Sequence, residues 1–276
     1  MRMVIVVGGS VFPKVSVLGS RIANVEPTDA VRLLETVADE GKSRGYVCLS
    51  NVHTTITGVF DSSYQAITNG AYMALPDGKP LVWALRLLDV GPSRRTNGPM
   101  LMEEMLDRAP VTGHRHFFFG GSEEARDKLL ARYSNHNVVG CFSPPFREPT
   151  PEEDREHAAM INDVNPHFLW VGLGAPKQER WMARMAEQID APLLLGVGAA
   201  FDQLSGLKER APTWMQDRGL EWAYRLAQEP RRLGKRYVMT NSMFLLGLSG
   251  QVIAHRLGGL FKRFGRGSQG SGGTAV

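Results

Sequence analysis

At 276 residues with 43% apolar side chains, the chain can bury a sizeable core, which excludes disorder for most of its length and favours one large α/β domain with an appended segment over two equal domains. Its net charge of +4 is the sum of about −4 over residues 1–207 and about +8 from Lys208 onward, so the C-terminal quarter suits an anion: nucleic acid, a membrane surface or a phosphorylated substrate. Two cysteines, Cys48 and Cys141, exclude a secreted disulfide framework, and their apolar strand-like settings point to buried reduced thiols in a cytoplasmic protein.

The opening MRMVIVVGGSVFPK reads as a strand, because its apolar run is too short for the core of a signal peptide. TDAVRLLETVADEGKSRG places Ala30, Val31, Leu34, Val37 and Ala38 on one helical face, with Thr28 as N-cap and Gly41 or Gly45 as the stop. Strand and helix signals then alternate. Strands are expected at 46–50, 72–76, 116–120, 138–142, 168–172 and 193–198. Helices are expected around 64–69 and at 80–88, 98–109, 126–133, 151–163 and 177–188. Such alternation predicts a Rossmann-like α/β fold: a mostly parallel sheet with helices on both faces, plus a basic helical appendage. The boundaries follow as a core over 1–207, an appendage over 208–264 and a glycine- and serine-rich disordered tail over 265–276.

No segment has the ~18–20 uninterrupted apolar residues that span a bilayer, so membrane contact is expected to be peripheral. Ile253, Leu257, Leu260 and Phe264 recur at helical spacing among Arg256, Lys262, Arg263 and Arg266 with no acid. This basic amphipathic helix suits anionic lipid, with an oligomer contact as the alternative use.

Ligands of parallel sheets bind beyond the carboxyl ends of the strands, and three strands end in glycine-bearing turns: FFFGGSEEAR, LWVGLGAPKQE and LLGVGAAFD. Gly120 and Gly121 open a helix whose N–H groups could receive phosphate; an ordinary tight turn explains them equally well. Neither the dinucleotide fingerprint nor the P-loop is present, no histidine or D-x-D spacing suits a metal, and there is no G-x-S-x-G elbow. A carboxylate acting without a metal or other cofactor remains, and Asp77 in ALPDGKP is the best candidate, although a turn-forming aspartate is the commoner role for P-D-G.

SNVHTTITG, ALPDGKP, SRRTNGPML, FFFGG, VGLGAPKQERW, GVGAAFD and RAPTWMQDRGLEWAYRLAQEPRR occur in one order over roughly residues 14 to 240. In this the chain resembles the WecG/TagA/CpsF glycosyltransferases of bacterial surface polysaccharide synthesis. The resemblance implies inverting, metal-independent transfer from a UDP-sugar of N-acetylmannosamine or hexose type to a polyprenyl-diphosphate-linked acceptor. It implies a protein held peripherally at the inner face of the plasma membrane, with the C-terminal segment folded over the active site.

Carried over, Asp77 falls on the family's proposed base, Asn51 on the asparagine of T-x-N, Arg95 on the arginine after the catalytic loop and Gln178 on the glutamine of P-K-Q-E. Leu49 replaces the threonine of T-x-N, with Ser50 as a substitute hydroxyl. Arg225 and Arg232 match family arginines; the third falls on Lys235, with Arg236 beside it, and lysine lacks the bidentate fork. Gly120, Gly121, Gly172, Gly174, Lys177, Asp202 and Arg210 complete the candidate substrate-binding set. Two competing readings are a nucleic-acid-binding protein, which lacks a recognised motif, and a sugar-nucleotide oxidoreductase or epimerase, which lacks the dinucleotide fingerprint.

Overall fold

The computed structural model describes residues 3–7, 10–41, 45–88 and 94–267, with side chains described for all of these except 3, 4, 6, 7, 10, 11, 232 and 259–267. The N-terminal strands β1 (Met3–Val7), β2 (Ser10–Val17) and β3 (Ser20–Ala23) form a small antiparallel meander. The main sheet comprises β4 (Gly45–Ser50), β5 (Met73–Pro76), β6 (His116–Gly120), β7 (Val138–Phe142), β8 (Phe168–Gly172) and β9 (Leu193–Gly196). Its spatial order is β5-β4-β9-β8-β6-β7, and every neighbouring pair is parallel.

Between these strands run α1 (Pro27–Glu40), α2 (Val52–Phe60), α3 (Ser62–Gly70), α4 (Lys79–Leu87), α5 (Gly98–Thr112) and α6 (Glu123–Arg132). They are followed by α7 (Pro151–Asp163), α8 (Lys177–Met185), α9 (Ala200–Leu204), α10 (Thr213–Asp217), α11 (Glu221–Gln228) and α12 (Pro230–Gly267). The expected single helix around 64–69 is the second of two, because Asp61 ends α2 and caps α3 by accepting the Tyr64 N–H at 2.9 Å. Helix α12 continues through Gly267, into the segment expected as a disordered tail, and 268–276 lie outside the described residues.

Alternate residues of each strand enter two apolar clusters, one per face. Val47, Leu49, Phe118 and Leu195 lie on the face covered by α1, α5 and α9; Tyr46, Cys48, Phe119 and Leu194 lie under α4, α7 and α8. Covering both faces explains why these strands read as continuous apolar runs. Phe244 and Leu248 of α12 are buried in the second cluster, so the basic C-terminal segment is anchored by core packing as well as charge.

Candidate active site

Asp77 leaves β5 at the sheet's C-terminal edge. Its backbone N–H donates to the Ser50 carbonyl of β4 at 2.7 Å, and the Thr96 N–H donates to the Pro76 carbonyl at 3.0 Å. These two bonds bring Asn51, Asp77 and Arg95 together from three separate stretches of sequence. Gly78 follows with φ of 151° and ψ of 139°, a conformation that L-residues avoid. That backbone turns the chain into α4 and leaves the Asp77 side chain 26% exposed at the rim.

Asn51 is the N-cap of α2. Its side-chain oxygen accepts the Thr54 N–H at 3.2 Å and the Thr54 hydroxyl accepts the Asn51 N–H at 2.8 Å, a reciprocal capping box. The side-chain oxygen is thereby committed to the helix, leaving the amide NH2 as the group available to a ligand. Leu49, at the family's threonine position, is buried in the first apolar cluster, and Ser50 is buried beside it.

Arg95 Nε lies 3.6 Å from Asp77 Oδ1, and its Nη2 pairs closely with Glu221 Oε2 at the start of α11. The other oxygen, Glu221 Oε1, is 2.7 Å from Arg225 Nη2. The resulting chain of alternating charge, Asp77, Arg95, Glu221 and Arg225, joins the core to the C-terminal block. Burial raises the Asp77 pKa above the usual aspartate value; Arg95 and Arg225 oppose that rise and the Glu221 carboxylate adds to it.

Arg236 and His53 form a second meeting point between α12 and α2. Burial, followed by the nearby Arg236 charge, lowers the His53 pKa, which favours neutral imidazole two residues beyond Asn51. Arg236 is half-buried and also lies over the Tyr237 ring at 5.6 Å, whereas Lys235 is exposed. Of these two, Arg236 is the cation turned toward the core; Arg232's side chain lies outside the described residues.

A family model describing the WecG/TagA/CpsF glycosyl transferases matches residues 15–257, nearly the whole described chain. The chain belongs to the WecG/TagA/CpsF family. Its relatives include N-acetylglucosaminyldiphosphoundecaprenol N-acetyl-beta-D-mannosaminyltransferases of Staphylococcus aureus strains MW2 and NCTC 8325 / PS 47. Each is 26% identical over 233 residues, covering 80% of this chain and 87% of the relative.

Within this WecG/TagA/CpsF glycosyltransferase, several of the expected site residues make structural contacts. Gln178 is only 3% exposed. Its Oε1 accepts the Gly198 N–H at 3.0 Å and its Nε2 donates to Glu179 Oε1 at 2.8 Å, so it braces the turn after β9 from within the core. Gly120 and Gly172 face each other across β6 and β8, where a Cβ on Gly120 would fall 2.7 Å from the Gly172 carbonyl carbon. The Gly121 N–H donates to the Gly172 carbonyl at 3.2 Å. Ser122 caps α6, and Glu123 and Glu124 occupy its first turn. The close approach of the two strands and the Gly121 hydrogen bond give Gly120 and Gly121 a structural role.

Gly174 sits in the β8–α8 turn at φ 78°, with exposed Lys177 opening α8. Asp202 pairs with Lys208 at 2.8 Å, and Arg210 pairs with Glu103 of α5 at 3.0 Å, fastening the C-terminal block to the core. The sequence reading missed Glu221 and His53. E-W-x-x-R carried the signal for Glu221 as an i,i+4 acid–arginine pair, and His53 lies two residues beyond Asn51.

Proposed function

We propose that the chain moves a sugar from a UDP-sugar to a saccharide acceptor on polyprenyl diphosphate, with inversion and without a metal, using Asp77 as general base. The observation that carries this reading is the Asp77 carboxylate at the sheet's C-terminal rim, beside two guanidiniums. The acceptor hydroxyl would give its proton to Asp77 as its oxygen forms the new bond to the anomeric carbon. The bond from that carbon to the diphosphate oxygen would break on the opposite face, and the electron pair would leave with UDP. A raised carboxylate pKa suits the proton transfer, because base strength is better matched to working pH.

Arg95, Arg225 and Arg236 would stabilise diphosphate charge, the task a divalent cation otherwise performs. Asn51 would contribute its amide NH2, and Gln178 would act indirectly by holding the turn at Gly198. The names of the S. aureus relatives support an N-acetylmannosamine donor and an N-acetylglucosamine-diphospholipid acceptor, with hexose donors as the wider class. The charged C-terminal block, residues 208–264 in this reading, serves as the part of the enzyme that meets the lipid-linked substrate.

For the membrane, the support is the outward side of α12. Among the described residues no helix is long and apolar enough to cross a bilayer. Met239, Met243, Leu246, Ile253 and Leu257 are nevertheless exposed, opposite the buried Phe244 and Leu248. Lys235 and Arg256 flank this strip, and no acidic residue occurs from Pro230 to Gly267. This arrangement favours peripheral docking on the anionic inner face of the plasma membrane.

Asp77→Asn tests the base. Transfer from UDP-N-acetylmannosamine to an N-acetylglucosamine-diphospholipid should fall by about 10²–10⁴. Turnover within a few fold of wild type would remove Asp77 from the role.

A further inference from the structure

We propose that Glu221 is a positioning residue for the transfer reaction, fixing the Arg95 and Arg225 guanidiniums in register with Asp77. The proposal rests on Asp77 being the base and adds a residue to that site. Its foundation is geometric: one carboxylate, 17% exposed, engages two guanidiniums through different oxygens. One belongs to the loop beside β5 and the other lies one turn along α11.

Helix α11 contains no fully buried residue, so packing alone holds it weakly and polar ties set its position. Gly219 seats the preceding turn on Lys79 and Trp83 of α4, and Tyr224 donates its hydroxyl to Glu209 at 3.0 Å. Neither tie reaches Arg95. Glu221 supplies the connection between the appendage and the loop carrying the site arginine.

The placement also has an electrostatic signature. Arg95, Arg225 and Glu221 all act on Asp77, and only Glu221 shares its sign. A negative charge beside a carboxylate disfavours ionisation, while each guanidinium favours it. Glu221 therefore serves two purposes: it restrains both forks and moderates their pull on the base, so that Asp77 retains basicity beside two cations.

Two substitutions separate these purposes in the full chain. Glu221→Gln preserves the span but removes the charge. It should lower kcat by about 10- to 100-fold through misplacement of the arginines and move the acidic limb of kcat/KM to lower pH. Glu221→Asp preserves the charge but shortens the reach, so kcat should fall while the limb moves less. Circular dichroism and thermal unfolding establish that both variants fold.

Asp77→Asn is assayed alongside. If it retains wild-type turnover, the reading of the site has failed and Glu221 has no base to position. If Asp77→Asn is inactive while a folded Glu221→Gln matches wild type in rate and pH profile, the Glu221 proposal alone is overturned. A Glu221→Gln variant that loses rate only in proportion to stability, with an unmoved acidic limb, overturns it as well. Loss of kcat together with the downward limb shift supports it.

Discussion

The Asp77 N–H donates to the Ser50 carbonyl at 2.7 Å, carrying the β4–β5 pairing one residue beyond the strand. The side chain proposed as base therefore projects from backbone fixed by the sheet, whereas Arg225 comes from a helix held chiefly by polar ties. Perturbations at these two positions should have different signatures.

Asp77→Asn should stabilise the protein as it inactivates it. Because the folded-state pKa is raised, the stability contributed by the protonated acid is full below the ordinary aspartate pKa and lost as pH rises through the folded value. The variant should melt above wild type at pH 7, with the gap closing as pH falls below the ordinary aspartate range. Paired melting curves across pH measure this, and an equal gap at both ends would contradict it.

Arg95→Gln should move the acidic limb of kcat/KM to higher pH, because Arg95 favours the ionised Asp77 carboxylate. This is opposite to the direction expected for Glu221→Gln. The rate at the pH plateau should also fall as diphosphate charge loses a cation. Profiles for the two variants that move together would contradict the assigned signs.

Gly78→Ala should reduce both activity and stability. At φ 151° a Cβ is strained by about 1–3 kcal/mol, although a Cβ there would meet Pro80 and Asn51 only at ordinary contact distances. The expected loss in Tm is about 2–4 °C for each kcal/mol. A variant with unchanged Tm and rate would show that the turn relaxes freely.

Gln178→Ala should cost about 1–3 kcal/mol by orphaning the part-buried Gly198 N–H and removing the amide donor to the buried Glu179. Its transfer rate should follow the displacement of the β9–α9 turn, with the acidic limb left in place. Unfolding curves and a pH profile distinguish this support role from direct chemistry on Asp77.

Leu246→Glu should weaken sedimentation with anionic vesicles while leaving the fold intact, since Leu246 is 76% exposed on the outward side of α12. At roughly 1 kcal/mol per charge near such a surface, the loss should be about fivefold, with transfer to a short-chain soluble acceptor retained. Undiminished vesicle binding would move the contact elsewhere.

The parallel sheet was legible because its strands are buried on both sides and bounded by helical patterns, and the place of Asp77 at the sheet's edge because P-D-G immediately follows one of them. The N-terminal meander was less legible, since a short apolar opening carries no pairing information. The Gln178 hydrogen bonds were not legible for a physical reason: a polar residue beside a glycine turn gives the same sequence signal whether its amide faces a ligand or a backbone N–H. Glu221 was obscured because its key partner, Arg95, is far away in sequence, and the surrounding charges resemble a solvated helix face.

Helix α12 is moored near its middle, beyond Arg236. Gln251 accepts the Leu18 N–H at 2.9 Å and donates to the Ser16 carbonyl at 2.7 Å, while Gly247 rests against Leu18. The meander that carries no proposed site residue thus acts as an abutment for the helix that carries Arg236. Shaving Leu18 back to alanine would slacken that bearing, so a change in the first twenty residues would register as altered alignment of a cation supplied by the last fifty.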